Sequence, residues 1–152
     1  MEPWPAFIAL EQSPLAVWLR TSLAYPVLES MHLVGLATLF GSLLIVDLRL
    51  LGVIRHLEVG ALARGVLPWT ALGFLVAAGT GLGLFFARAA ELIANPLFLS
   101  KMLLVMTAGL NAAWLHSRGP LDVSSRLTRI QAALSLMIWL AVIVCGRWIA
   151  YY

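Results

Sequence analysis

The sequence predicts an all-α fold: an integral membrane four-helix bundle with a short N-terminal interfacial helix. Composition is the first reason. Of 152 residues, 62% are hydrophobic and 11% charged, and mean hydropathy is +0.96. A soluble domain of this size needs more polar surface than that. The second reason is four separated apolar stretches, each near the ~20 residues that cross a bilayer as a helix. The third is physical: backbone polar groups in lipid must be satisfied within the segment, which selects helices over open sheets. The four spans and their short loops account for residues 1–152 as one transmembrane domain, with no separate soluble domain expected.

Residues 12 to 24 come first. Pro14 opens a stretch with Leu15, Trp18, Leu19 and Leu23 roughly on one side, which predicts a helix lying in the membrane interface. The alternative is an N-terminal extension of span one. Span one is predicted at about 26–47, span two at 68–87, span three at 96–115 and span four at 130–150. Pro26, Pro68 and Pro96 open the first three, a position where the missing N–H costs no hydrogen bond. Asn95 is the expected N-cap of span three. Gly119-Pro120 breaks the chain after it. Span four is expected to begin with an amphipathic turn capped by Asp122 or Ser124.

The net charge of +3 does not predict a nucleic-acid partner, because the arginines fall at helix ends and in loops. Arg49, Arg55 and Arg64 flank loop one, and Arg118, Arg126 and Arg129 flank loop three. Arg20, Arg88, Lys101 and Arg147 belong to the other side. The positive-inside rule then places loops one and three in the cytoplasm and both termini outside. Trp4, Trp18, Tyr25, Trp148, Tyr151 and Tyr152 would form an outer aromatic belt, with Trp69 and Trp114 at the inner boundary. Cys145 is the sole cysteine, so neither an intramolecular disulfide nor a CxxC site is expected. Met1 to Phe7 lacks the basic and apolar regions of a cleaved signal peptide.

The chemistry-bearing residues gather near the outer end. At ~1.5 Å rise per residue, His32 lies ~9 Å into span one, Lys101 ~8 Å into span three and Arg147 ~5 Å from the end of span four. Span two reaches that level at Gly79, Thr80, Gly81 and Gly83. Glu29 is one turn above His32. Ionisable groups in hydrocarbon are costly and face a bundle interior, a ligand or a partner. Each residue also has a plain structural reading. His32 then bonds a neighbouring backbone or Glu29, Lys101 snorkels to the headgroups, and Arg147 anchors at the interface beside Trp148 and Tyr151. The glycine run reads first as a close-packing face, with Gly79 and Gly83, and likewise Gly73, Ala77 and Gly81, at four-residue spacing; Gly35, Thr38 and Ser42 give span one a similar small face. It also leaves room for a flat cofactor. At the inner end Asp47, Arg49, Asn111 and His116 form a polar set, with His56 in the loop; Asp47 is expected to meet Asn111, His116 or a loop-three arginine.

A haem b held by two histidines is excluded by depth. His116 lies ~30 Å down span three, ~20 Å from the level of His32. A haem at the outer level remains, with His32 as metal ligand and Lys101 or Met102, or no residue, opposite it. Arg147 and Arg88 would face its propionates, and Glu29 would orient His32. Copper(I) is the alternative cofactor, since His32, Met31, Met102 and Cys145 offer soft or borderline ligands.

The stretches Tyr25 to Gly52, Asn95 to Val105 and Gly146 to Tyr151, with Asn111 and His116, resemble a small bacterial inner-membrane family of unknown function over nearly the whole chain. More distantly, the layout resembles the HemJ-type protoporphyrinogen oxidases and the CopD-type copper-resistance membrane domains. The HemJ-type resemblance implies haem at the early-span histidine and a functional lysine on a later span, here His32 and Lys101. The CopD resemblance implies copper handling. The expected function is a haem-binding or porphyrin-handling redox protein. The alternative is a non-enzymatic membrane subunit docking a partner protein, and copper handling is the third. Besides the lipid bilayer, a redox or other membrane-protein partner and a homo-oligomer stay open.

Overall fold

Prolines, caps and left-handed glycines decide where this chain enters and leaves each helix. We analysed a computed structural model that describes residues 4–119 and 121–151. Met1, Pro120 of the expected break and Tyr152 of the expected belt lie outside the described residues. Among the described residues there are seven α-helices and no strand. They are α1 (Pro5–Glu11), α2 (Pro14–Thr21), α3 (Ala24–Leu50), α4 (Val59–Ala87), α5 (Ala89–Ala94), α6 (Pro96–Ser117) and α7 (Arg126–Trp148), followed by a 3₁₀ turn at Ile149–Tyr151. Four of them, α3, α4, α6 and α7, are long and apolar enough to cross a membrane.

The interfacial stretch is α2, and it is separate from span one. The Ser13 hydroxyl caps it by accepting from the Ala16 N–H, and extended backbone at Ser22 ends it. Ala16 and Leu19 are buried, whereas Leu15, Trp18 and Leu23 are exposed. A second short helix, α1, precedes it and packs on α5. Glu11 ties the three together. Its carboxylate accepts from Arg20 at 2.8 Å and from the Ala90 N–H at 2.8 Å.

Span two departs from expectation at its start. α4 begins at Val59, and Pro68 lies inside it. The cap is Glu58, whose carboxylate accepts from the Gly60 and Ala61 N–H groups. A proline within a membrane helix is tolerated because neighbouring helices and local adjustments re-satisfy the freed carbonyl, so here it did not mark a terminus. Pro96 does open α6, with Asn95 Oδ1 accepting from Leu97 N at 2.9 Å. α7 starts after Ser125, which makes no side-chain cap. Asp122 caps Ser124 instead, at 2.8 Å to its N–H. Gly52 (φ 83°) ends α3 and Gly119 (φ 90°) follows α6; both conformations suit glycine because it lacks a Cβ.

α3 packs along α4, α6 along α7, and α3 joins the two pairs by packing on α7. Leu39, Ala108, Trp139 and Val142 form one core cluster, and Val46, Leu50 and Ala132 a second, nearer the C-terminal end of α3. At the end of the bundle where α4 finishes and α6 begins, Phe85 of α4 stacks on Phe98 of α6 at 5.7 Å between ring centroids. The α3–α4 contact is backbone on backbone. A Cβ on Gly73 would lie 2.5 Å from Leu39 N, and one on Gly35 2.7 Å from Ala77 N. Neither position admits a side chain. Lower on the same seam, Ser42 and Thr70 share a hydroxyl hydrogen bond of 2.8 Å.

Two outcomes follow. Gly73→Ala should lower unfolding free energy in detergent by about 1–3 kcal/mol through overpacking. Gly79→Ala, where nothing lies within 4 Å, should be neutral or stabilising by up to about 1 kcal/mol; thermal unfolding followed by circular dichroism compares the two. The second outcome concerns Glu58. Hydrogen bonds from the Ala61 and then the Gly60 N–H hold its carboxyl below the usual 4.5. Its stabilisation is therefore present above the usual value and lost as pH falls through the lowered one. Glu58→Gln should flatten the acid side of the melting-temperature profile.

Candidate functional site

α3 carries His32 toward α4, and the close helix approach lets the ring lie on the α4 backbone. Its Nδ1 is 2.8 Å from the Ala77 carbonyl oxygen and 3.2 Å from the Thr80 hydroxyl. That hydroxyl donates its own proton to Val76 O, 2.6 Å away. Gly81 makes the space, since a Cβ there would stand 3.1 Å from Cε1 of the ring. A carbonyl oxygen can only accept, so Nδ1 carries the proton and donates it. In the neutral ring Nε2 then keeps an unshared pair, and it has no hydrogen-bond partner among the described residues.

Lys101 comes from α6 and lies against α7. A Cβ on Gly146 would be 3.2 Å from its Nζ, so Gly146 is the seat of the amine. Cys145 is beside it and half-buried. The amine is within Coulombic reach of the His32 ring. Neither of the salt bridges among the described residues includes it. A bare imidazole nitrogen and an unpaired amine, from helices on two sides of the bundle, thus share one level. Such a pair can offer a lone pair and N–H donors to one ligand.

The other expected site residues are placed differently. Gly81 adjoins the ring, but Gly83 receives Leu28, at 2.9 Å to its Cδ1. Gly79 faces open space. Glu29 is exposed and makes no hydrogen bond to His32, so the orienting group is the Ala77 carbonyl. Met102 and Met31 are exposed, on the outer surface where lipid is expected. Arg147 turns away: its guanidinium donates to the Tyr151 hydroxyl at 2.7 Å and sits over that ring at 5.0 Å. This is the interfacial-anchor arrangement, which the cation–π attraction and the wet end of the tyrosine favour. Arg88 is paired with Glu91. Among the described residues no group of three His, Cys, Asp or Glu side chains converges.

The inner polar set has a different centre from the one expected. Asp47 is buried and faces Ser135 of α7. Asn111 donates to the Gln131 carbonyl at 3.0 Å, and Arg118 donates to Gln131 Oε1 at 3.0 Å. His116 is exposed and bonds its own helix at Ala112 O; His56 is exposed in the loop. Gln131 is therefore the clamped residue, and sequence reasoning missed it. The signal was present: Thr128, Gln131 and Ser135 recur at helical spacing in an apolar span, and all three are buried.

The architecture defines an all-α protein with four helices able to span a membrane. The chain belongs to the Family of unknown function (DUF6644), which matches residues 22–152. No curated protein and no solved structure matches the chain, so neither comparison shows a likeness to the HemJ-type or CopD-type proteins.

The tautomer can be checked directly. Nitrogen NMR of histidine-labelled protein should show neutral His32 as the Nδ1–H form, with Nε2 bare. An Nε2–H form would contradict the hydrogen bond to Ala77.

Proposed function

We propose that the protein is a haem-binding or porphyrin-handling membrane redox protein, in which His32 would hold the group and Lys101 would lie beside it. The bare Nε2 of His32 carries this reading. Histidines that ligate metals characteristically donate the other ring N–H to a backbone carbonyl or carboxylate, which fixes the ring and its tautomer; His32 does this to Ala77. Gly81 keeps the ring's flank free of side chain, and Lys101 supplies a positive or hydrogen-bonding group at the same level. Haem would bring one-electron chemistry whose potential depends on axial ligand and surroundings. The protein's part is to hold the imidazole through Ala77 and set the local charge through Lys101. The arginine distribution supports an orientation with both termini outside, in the bacterial cytoplasmic membrane.

A second reading is favoured by a separate observation. α6 is the least enclosed span, and Met102, Leu103, Met106 and Leu110 are all exposed on it. A membrane subunit that docks a partner through α6 would present such a surface. Copper handling is the third reading; its soft ligands Met31 and Met102 are exposed rather than turned toward His32.

Absorption spectra of detergent-purified protein, oxidised and reduced, decide between these. A Soret band that His32→Ala abolishes and that His116→Ala and Glu29→Ala leave intact is the expected result. Protein that stays colourless after haem reconstitution overturns the haem reading, and copper found by elemental analysis would favour the third.

A further inference from the structure

Two buried polar atoms at the arginine-rich end of the bundle lack partners. Asp47 is 3% exposed and Gln131 is 1% exposed. Asp47 Oδ2 and Gln131 Nε2 have no hydrogen-bond partner among the described residues. Leaving a buried polar atom unsatisfied costs about 1–3 kcal/mol, and here two occur together. Both belong to one neighbourhood. Asp47 faces Ser135, which lies one turn after Gln131 on the same face of α7. Val46 and Leu50, flanking Asp47, pack in one cluster with Ala132, next to Gln131.

The polarity of the two atoms is complementary. Arg118 is a donor only, so its bond to Gln131 Oε1 fixes which way the amide points and leaves the NH₂ as the unpartnered group. Asp47 Oδ2 is an acceptor when ionised. A ligand between them must donate to the carboxylate and accept from the amide. Water does both. A bare metal cation does not, because the amide N–H repels it.

Charge completes the argument. Neither salt bridge among the described residues involves Asp47. The charged groups on the neighbouring elements are directed elsewhere. Arg118 is on Gln131, Arg49 on the Leu57 carbonyl and Arg129 on the Val123 carbonyl. Arg64 stands beside Glu58, Arg126 is exposed and His116 is bonded to its own helix. A buried carboxyl without a counter-ion is relieved of its charge by a proton.

We propose that Asp47 and Gln131 hold a buried water between them, and that Asp47 binds a proton exchanged through it with the Arg118 end of the bundle. Ser135 supports the carboxyl from α7, and Arg118 connects Gln131 to solvent. The step is a proton transfer alone: a carboxylate oxygen gains H⁺ from water at the membrane surface and returns it there. No electron moves.

Infrared difference spectroscopy between acid and alkaline pH tests this in the full chain. A carboxylic-acid C=O band that Asp47→Asn removes is expected, with a frequency shift in Gln131→Leu as the hydrogen-bonded water is lost. A pH difference spectrum unchanged by Asp47→Asn, or a band unmoved by Gln131→Leu, overturns the proposal. Labelling wild-type protein with dicyclohexylcarbodiimide, which attacks protonated carboxyls in apolar surroundings, needs no variant. An adduct on the peptide carrying Asp47, forming several-fold faster at acid than at alkaline pH, is expected; no adduct there, or a rate indifferent to pH, contradicts it.

Discussion

The backbone contact between α3 and α4 is the constraint on which the rest depends. Gly35 and Gly73 each occupy a place where a Cβ would overlap the facing helix's main chain. In lipid there is little hydrophobic drive between helices, so packing at close range does the work. The same seam seats the imidazole. Ala77, whose nitrogen Gly35 approaches, also offers its carbonyl to His32. One turn further, Gly81 leaves the ring its space. Moving the helices apart by the width of a methyl group would remove both the packing and the hydrogen bond that sets the tautomer.

The bundle carries two polar centres at opposite ends, and they differ in kind. At the His32 end the groups are half-buried, the imidazole held by the Ala77 carbonyl and the amine lying against Gly146, with an imidazole nitrogen and the amine left for something else. At the other end Asp47 and Gln131 are enclosed, Asn111 and Arg118 bond to Gln131, and one acceptor and one donor are left over. Asp47 Oδ2 and Gln131 Nε2 are expensive in a low-dielectric interior, and that expense is the physical reason for reading the second centre as a site; the first is read from the tautomer that the Ala77 carbonyl imposes on His32. Arg147, Arg88 and Arg20, by contrast, have partners near the surface and read as anchors.

Much of the fold was legible because the strong signals in the sequence were hydropathy and small-residue spacing. Both report directly on burial in a membrane. The α6 start was legible because Asn95-Pro96 is a cap followed by a first-turn proline. The α4 start was not, since Pro68 gave the same signal nine residues too late and the true cap, Glu58, stands among loop residues. α1 and α5 are too short to show a period.

The candidate site was legible in depth but not in direction. Rise per residue placed His32, Lys101 and Gly81 at one level. It could not show that Arg147 turns to Tyr151 or that Gly79 faces outward, because rotation about each helix is set by packing. It also could not name the Ala77 carbonyl, as every residue has one. Gln131 escaped because it carries no charge, although a buried amide in an apolar span is nearly as informative.

Cysteine cross-linking tests the α3–α4 seam most directly. In a Cys145→Ser background, Ser42→Cys with Thr70→Cys replaces two hydroxyls that touch. Mild oxidation in membranes should join that pair rapidly and completely, while Ser42→Cys with Thr107→Cys on the exposed side of α6 should stay reduced. Failure of the first pair to cross-link, or equal cross-linking of both, would show that α3 and α4 do not meet along this face.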